Sequence, residues 1–363
     1  MSLGRVVLVA RKALIAGFFG VLWAASCTAE EYFDKYGLAP ASAPLDLGIQ
    51  PLGYPSGLIS AVMHHDRILK NALIKAGHPL QTHAFRRGAD MVKPLADRRL
   101  EAGLLGDMPT ILAAASGSIW IVGLVKQTST AIVAKGGTTV RGLAGKRIAY
   151  VETSSAHHTL LQGLSSAGLK ESEVKLVTMG IDAMPEALER GEIDAFAAWE
   201  PGPSVALGNS EKNSIVFRGQ STDYFVIERN FATNSPEASD ALIAGYVRAI
   251  EWMRRSQKNI ELAARWANAD AEALSGKPGT LPVAQIVAIT RREILNVPSA
   301  PAILTNPNAA PPLKTEFDFL NGQKKIPASG QWKNVETALS FNGLARIMAE
   351  NRKFQLSTFD YAE

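Results

Sequence analysis

VETSSAHHTLLQG, residues Val151–Gly163, continues the apolar run Arg147–Val151 and ends in leucines at helical spacing. The run RIAYV reads as a short buried strand, and Leu160, Leu161 and Leu164 recur with the period of a helix. Between strand and helix lies a hydroxyl-rich turn. Ser154 or Ser155 caps the helix, whose unpaired N–H groups and positive dipole end favour negative charge. Alone, the segment is an ordinary capped strand–turn–helix. If its amides and hydroxyls face a cleft, it is a seat for an anion.

The same alternation extends in both directions. Downstream come strand Val174–Thr178, helix Ala183–Arg190 and strand Ala195–Ala198. Upstream, strand Leu45–Gln50 runs into a turn stiffened by Pro51, Gly53, Pro55 and Gly57, then helix Leu58–Ala76, strand Leu80–Phe85, helix Ala89–Asp97 and strand Ala102–Leu105. Asp107 caps a helix that starts at Met108, and strands Ile119–Lys126 and Ala131–Ala134 follow. Strands alternating with helices predict parallel α/β sheet, with ligand sites beyond the carboxyl ends of strands. Gly136–Gly137 marks a first crossing between two lobes, and strand Asp223–Ile227 the return. The expected organisation is an arm over 30–44, a first lobe over 45–135, a second over 136–227, and a return to the first with C-terminal helices over 228–363. Pro236–Arg255, Asn259–Asn268, Pro282–Leu295 and Gln331–Glu350 read as helices, and Pro298–Pro312, with five prolines and two asparagines, as a loop. The loops expected at the cleft are Gln50–Gly57, Leu105–Pro109, Glu152–His158, Met179–Ala183 and Trp199–Pro203.

The 363 residues suffice for two lobes with real cores, and a composition 47% hydrophobic and 20% charged, with 30 glycines and 19 prolines, describes a globular protein with many turns. The formal charge is only +4, and Arg86–Arg87, Arg98–Arg99, Arg254–Arg255 and Arg291–Arg292 are isolated pairs. They read as surface charge rather than a nucleic-acid footprint. Arg5, Arg11 and Lys12 precede the apolar run Ala13–Ala25, and small residues continue to Ala29, the pattern of a secretory signal over 1–29. A lipid anchor on Cys27 is the alternative to simple cleavage. Cys27 is the only cysteine, so a chain cleaved beyond it has no disulfide, zinc–thiolate site or cysteine nucleophile.

Four stretches carry a family resemblance: LGIQPLGYPSGL at the first strand and turn, LLGDMPTILAAASG at Leu104–Gly117, GKRIAYVETSSAHHTLLQGLSSAGL at Gly145–Leu169, and IDAFAAWEPGP at Ile193–Pro203. Over Leu45–Phe231 the chain resembles the solute-binding proteins of ABC importers for nitrate, taurine and aliphatic sulfonates. The third stretch looks like the family's Gly-Ser-Ser-Ala/Ser-His loop, except that Glu152 and Thr153 stand where lysine or another residue and glycine are usual. The resemblance implies an α/β two-lobed periplasmic binding protein of type II, with a ligand cleft and two interlobe crossings. It implies capture of a small organic anion by lobe closure, most naturally an aliphatic sulfonate or taurine-like compound, and delivery to an inner-membrane permease with a separate ATPase. A periplasmic monomer without cofactor, metal or enzymatic activity is expected. An enzyme on the same scaffold, pairing His157 with Glu152 or Asp107 on a sulfonate- or sulfinate-like substrate, is the alternative.

Thr153, Ser154 and Ser155 lead the ligand candidates, because a tetrahedral anion needs several donors aimed at its oxygens. His157 matches the family's histidine and could donate to an oxyanion, or serve the structure alone. Gln50 and Tyr54 flank a constrained turn, where an amide and a phenol could meet the ligand. Asp107 could bind an amino group, orient the anion loop, or only cap its helix. Trp199 could form an apolar wall and Glu200 recognise an amine or brace the hinge. Asp223 and Tyr224, at the return crossing, could close over the ligand.

Overall fold

The computed structural model describes residues 30–39, 44–279, 281–295, 311 and 313–361. The signal segment with Cys27 and nearly all of the Pro298–Pro312 loop lie outside the described residues. The chain divides into compact units, Met1–Ser42 and Ala43–Glu363. In the first, a helical turn spans 30–34, and the Tyr32 ring meets Phe33 and Tyr36 edge-on.

The second unit is built on one eight-stranded sheet in the order β2-β1-β3-β8-β4-β7-β5-β6. The strands are β1 Leu45–Ile49, β2 Leu80–Ala84, β3 Ala102–Gly106, β4 Ile119–Lys135, β5 Arg147–Tyr150, β6 Lys175–Thr178, β7 Ala195–Ala198 and β8 Asn213–Glu228. β1 runs parallel to β2 and β3, and β5 parallel to β6 and β7. The two groups are joined by β4 and β8, antiparallel to each other from Ile119↔Glu228 to Lys135↔Asn213. β3 pairs with the C-terminal half of β8, and β7 with the C-terminal half of β4.

Apolar side chains gather on both flanks of that central pair. The larger core includes Leu47, Leu58, Phe225, Trp252 and Ile260. At the other end, Ile132, Leu160 and Ala195 form one core and Val133, Met184 and Phe196 another. Burial on both faces explains the wholly apolar run of β7, while in β1 the one polar side chain, Asp46, is buried against His83 Nε2 at 2.9 Å.

Several expected elements change. Ile119–Lys126 and Ala131–Ala134 are one strand, because the polar stretch Gln127–Thr130 pairs with Gly219–Thr222 as fully as its apolar neighbours do. The helix expected over Leu58–Ala76 breaks at Asp66 into Ser56–His65 and Arg67–Lys75. Asp66 has extended backbone angles and caps the second helix, accepting from the Leu69 N–H at 3.0 Å. Gln331–Glu350 likewise splits into Trp332–Ala338 and Asn342–Ala349, since Leu339 bridges to Ile121 and the Ser340 N–H donates to the Ile121 carbonyl. Gly202–Asn209 and Lys314–Gly322 are additional helices. Among the described residues, no helix is long and apolar enough to cross a membrane.

The break at Asp66 is braced by a buried ion pair. Arg248 Nε lies 2.8 Å from Asp66 Oδ2, with side-chain exposures of 3% and 1%. Arg248 Nη1 also donates to the Phe354 carbonyl, tying the C-terminal segment to the helix junction. Removing the cation strands a buried carboxylate, so Arg248→Ala should lower unfolding stability by about 3–5 kcal/mol. Urea denaturation checks this, and a loss below about 1 kcal/mol would show that water or rearrangement replaces the pair.

Candidate functional site

Beyond the carboxyl ends of the parallel strands lies a cavity of about 40 Å³ to the centres of water-sized spheres. One water needs roughly 10–15 Å³ on that measure. The space therefore suits a compact group rather than a bulky one. Gln50, Gly53 and Ser56 reach it from the end of β1, Arg87, Gly88 and Ala89 from β2, and Gly106 and Pro109 from β3. The opposite wall is Val151–Ser155 after β5 and Trp199 after β7. The floor comes from the middle of the central strands: Lys126 on β4, and Ser221 and Asp223 on β8.

The opening turn takes the shape the sequence suggests. Ser154 has extended backbone and caps the helix Ser155–Ser166: its Oγ accepts from the His157 N–H at 3.3 Å and donates to the Val151 carbonyl at 2.6 Å. The helix N-terminus thus points its dipole and unpaired amides at the cavity. Thr153 sits at φ 57°, the left-handed region that glycine adopts without penalty and a β-branched residue adopts with strain. This explains the glycine usual at that place in the resembling family. The turn keeps its shape here with threonine.

Direct contacts join the walls. Ser155 Oγ donates to Asp107 Oδ1 at 2.7 Å, and Asp107 Oδ2 accepts the Thr222 N–H at 3.3 Å. Asp107 is not the cap of its helix: the helix begins at Asp107 itself, with Gly106 as the capping residue. Its carboxyl lies fully buried just behind the lining and is pushed up to about 7, by burial first, with the Ser155 hydrogen bond opposing. Ser56 Oγ donates to Asp223 Oδ2 at 2.7 Å. Gln50 donates to the Leu104 carbonyl at 2.8 Å, so its amide is held in place at the rim.

Lys126 is the residue that sequence reasoning missed. It is 2% exposed and lies opposite Asp223 in the β4–β8 register, with Nζ 3.6 Å from Asp223 Oδ1. A register shift between Leu124 and Lys126 bends the strand there. Arg87, read as surface charge, also lines the cavity, held by Asp90 through two hydrogen bonds.

Besides Asp107, four sequence candidates do not line this cavity. The His157 ring packs against Tyr150 at 4.7 Å and Phe319 at 6.0 Å, and burial lowers its pKa to about 4. It is a neutral packing residue, as is His158 beside Phe319. Tyr54 lines a separate apolar cavity of about 330 Å³ with Leu52, Ile181 and Val205, its hydroxyl donating to Asn268 Oδ1 at 3.2 Å. The Met179–Ala183 loop contributes to that second cavity through Ile181 and Asp182. Glu200 accepts from Arg292 and from the Ser204 N–H, each at 3.2 Å. Tyr224 follows Asp223 in a strand and therefore points to the other face, where burial raises its pKa. Among the described residues, no cluster of His, Cys, Asp and Glu could hold a metal ion.

Residues 39–268 match the NMT1-like family. A taurine-binding periplasmic protein of Escherichia coli (strain K12) is 28% identical over 276 residues, 70% of this chain and 81% of that protein. Of solved structures, the alkanesulfonate-binding protein SsuA from Xanthomonas axonopodis pv. citri bound to MOPS is similar with a TM-score of 0.60 at 23% identity, covering 83% of this chain and 99% of that one. The periplasmic aliphatic sulphonate binding protein SsuA from Escherichia coli is similar with a TM-score of 0.55 at 22% identity, covering 80% and 96%. The fold is the α/β type II periplasmic binding protein architecture of these structures.

The Asp107–Ser155 bond couples the cavity to pH. An ionised Asp107 takes the Ser155 hydrogen and leaves oxygen lone pairs for any neighbour. A protonated Asp107 can donate to Ser155 instead, releasing the hydroxyl hydrogen toward an anion. Burial also makes folding favour the protonated acid, a contribution full below the unfolded value of 3.8 and lost as pH rises through about 7. Anion binding should therefore take up protons near neutrality, tightening as pH falls from about 8 to about 6. Calorimetric titration in two buffers of different ionisation enthalpy measures the uptake, and Asp107→Asn should abolish it.

Proposed function

The chain belongs to the NMT1-like family, and we propose on that footing that it is the solute-binding component of an ABC importer. It captures a small organic anion outside the cytoplasm and presents it to a membrane permease served by a separate ATPase. The ligand class is the short aliphatic sulfonates and taurine-like compounds. One observation carries the reading: the Thr153–Ser155 turn, at a helix N-terminus, shares a small cavity with the buried ammonium of Lys126. The Thr153 hydroxyl and the first amides of the helix orient a tetrahedral oxyanion, the Ser155 hydroxyl joins them once Asp107 is protonated, and the ammonium supplies opposite charge where little water screens it. Trp199 offers an apolar wall for the carbon attached to the anion. The taurine-binding and sulfonate-binding relatives support the same class.

Capture proceeds by movement of the two flanks about β4 and β8. In this reading the closed form is held by Ser155–Asp107 across the cavity and by Arg86–Asp182 at 2.8 Å outside it. Opening separates those pairs and exposes the turn. Closure removes water from the anion and strengthens its hydrogen bonds.

Native mass spectrometry and calorimetry with methanesulfonate, ethanesulfonate, taurine and nitrate test the reading. At least one sulfonate should bind with one-to-one stoichiometry and be recovered unchanged. Replacing Ser154 and Ser155 together by alanine should weaken it by about tenfold or more while circular dichroism stays native, since the Ser154 cap that shapes the turn is lost together with the Ser155 hydroxyl, and one hydrogen bond to a charged group is worth about 1.5–3 kcal/mol. Unaltered binding by that variant would remove the turn from the site.

A further inference from the structure

Of the carboxylates close to the cavity, Asp223, Glu152, Asp107 and Glu200 each already have a partner of the chain's own, and Glu316 stands behind Asp107 rather than in the lining. Asp223 is approached by Lys126 Nζ at 3.6 Å and receives the Ser56 hydroxyl at 2.7 Å. Glu152, at the mouth, is paired with Lys325 at 2.7 Å. Asp107 accepts from Ser155 and from the Thr222 amide, and Glu200 is turned to Arg292. A ligand ammonium entering this space would find its natural counter-charge, Asp223, already facing Lys126. It would also stand beside a second cation in a site with little water to screen the repulsion.

The ammonium of Lys126 is differently placed. A protonated lysine has three donors, and 3.6 Å is too long for a direct hydrogen bond to Asp223. Its donors are therefore available to an oxyanion seated on the Thr153–Ser155 turn. We infer that the cavity selects amine-free organic oxyanions against zwitterions, with Lys126 occupying the place where a zwitterion's own ammonium would sit. This rests on reading the cavity as an anion site, and it divides the sulfonates from their amino derivatives within that reading.

Ethanesulfonate and taurine differ only by the amino group and make the matched pair. By calorimetric titration, the wild-type chain should bind ethanesulfonate at least about tenfold more tightly than taurine. Lys126→Met retains the length of the side chain and uncovers Asp223. It should weaken ethanesulfonate by about tenfold or more and move the preference toward taurine by at least as much. Because that variant leaves a carboxylate unpaired, Lys126→Met/Asp223→Asn serves as the folded reference: it should bind ethanesulfonate weakly and show no gain for taurine. Asp223→Asn alone should retain the wild-type preference. Equal or tighter binding of taurine by the wild type, or an unchanged ratio in a folded Lys126→Met, overturns the inference while leaving the anion site standing. Failure of the wild type to bind any sulfonate or nitrate removes the underlying reading, and the inference with it.

Discussion

The long β4–β8 ladder is the constraint on which the remaining architecture depends. Each strand contributes one half to the β1–β3 group and the other to the β5–β7 group, so two sets of parallel strands share one hydrogen-bonded spine. The cavity lies over the middle of that spine. There the strands carry polar residues, Lys126 through Thr130 on one and Gln220 through Asp223 on the other, while the flanking stretches 119–125, 131–134 and 224–227 are apolar and mostly buried. A ladder can run through a polar stretch because its backbone groups pair regardless of side chain. A charged floor can therefore be built into a sheet without interrupting it.

Much of the architecture was legible from periodicity. The strand–turn–helix around Val151–Gly163, the parallel groups and the helix Pro236–Arg255 follow from apolar spacing and punctuation by glycine and proline. Tertiary forces moved the rest. Leu58–Ala76 has one helical pattern, but Asp66 is claimed by Arg248 from a distant helix, and a capping aspartate ends a helix more effectively than spacing continues it. Gln127–Thr130 looks like a linker because hydroxyl-rich segments commonly are. It is a strand because β8 supplies a complete set of partners.

The lining of the candidate site was legible in part for the same reason. Thr153, Ser154, Ser155, Gln50 and Trp199 occupy loops after strands, where topology alone places them, and Asp223 lies on the return strand. Lys126 gave no such signal: one lysine at the end of an apolar run reads as a side chain reaching water, and its partner is far along the chain. The alternation of a strand offered the missing clue for Tyr224, which cannot share a face with Asp223. His157 misled because a histidine in the first turn of a helix resembles a donor, whereas Tyr150 and Phe319 enclose its ring.

Thr153 also bears on the stiffness of the turn, apart from the donor it carries. Glycine in that left-handed position would leave the turn many conformations before the cavity closes, and each would have to be given up on binding. A β-branched side chain has few rotamers and a narrow range of backbone angles, so the strained turn has few alternatives to sample. In the proposed anion site, a turn with few alternatives would lose little further conformational entropy at capture.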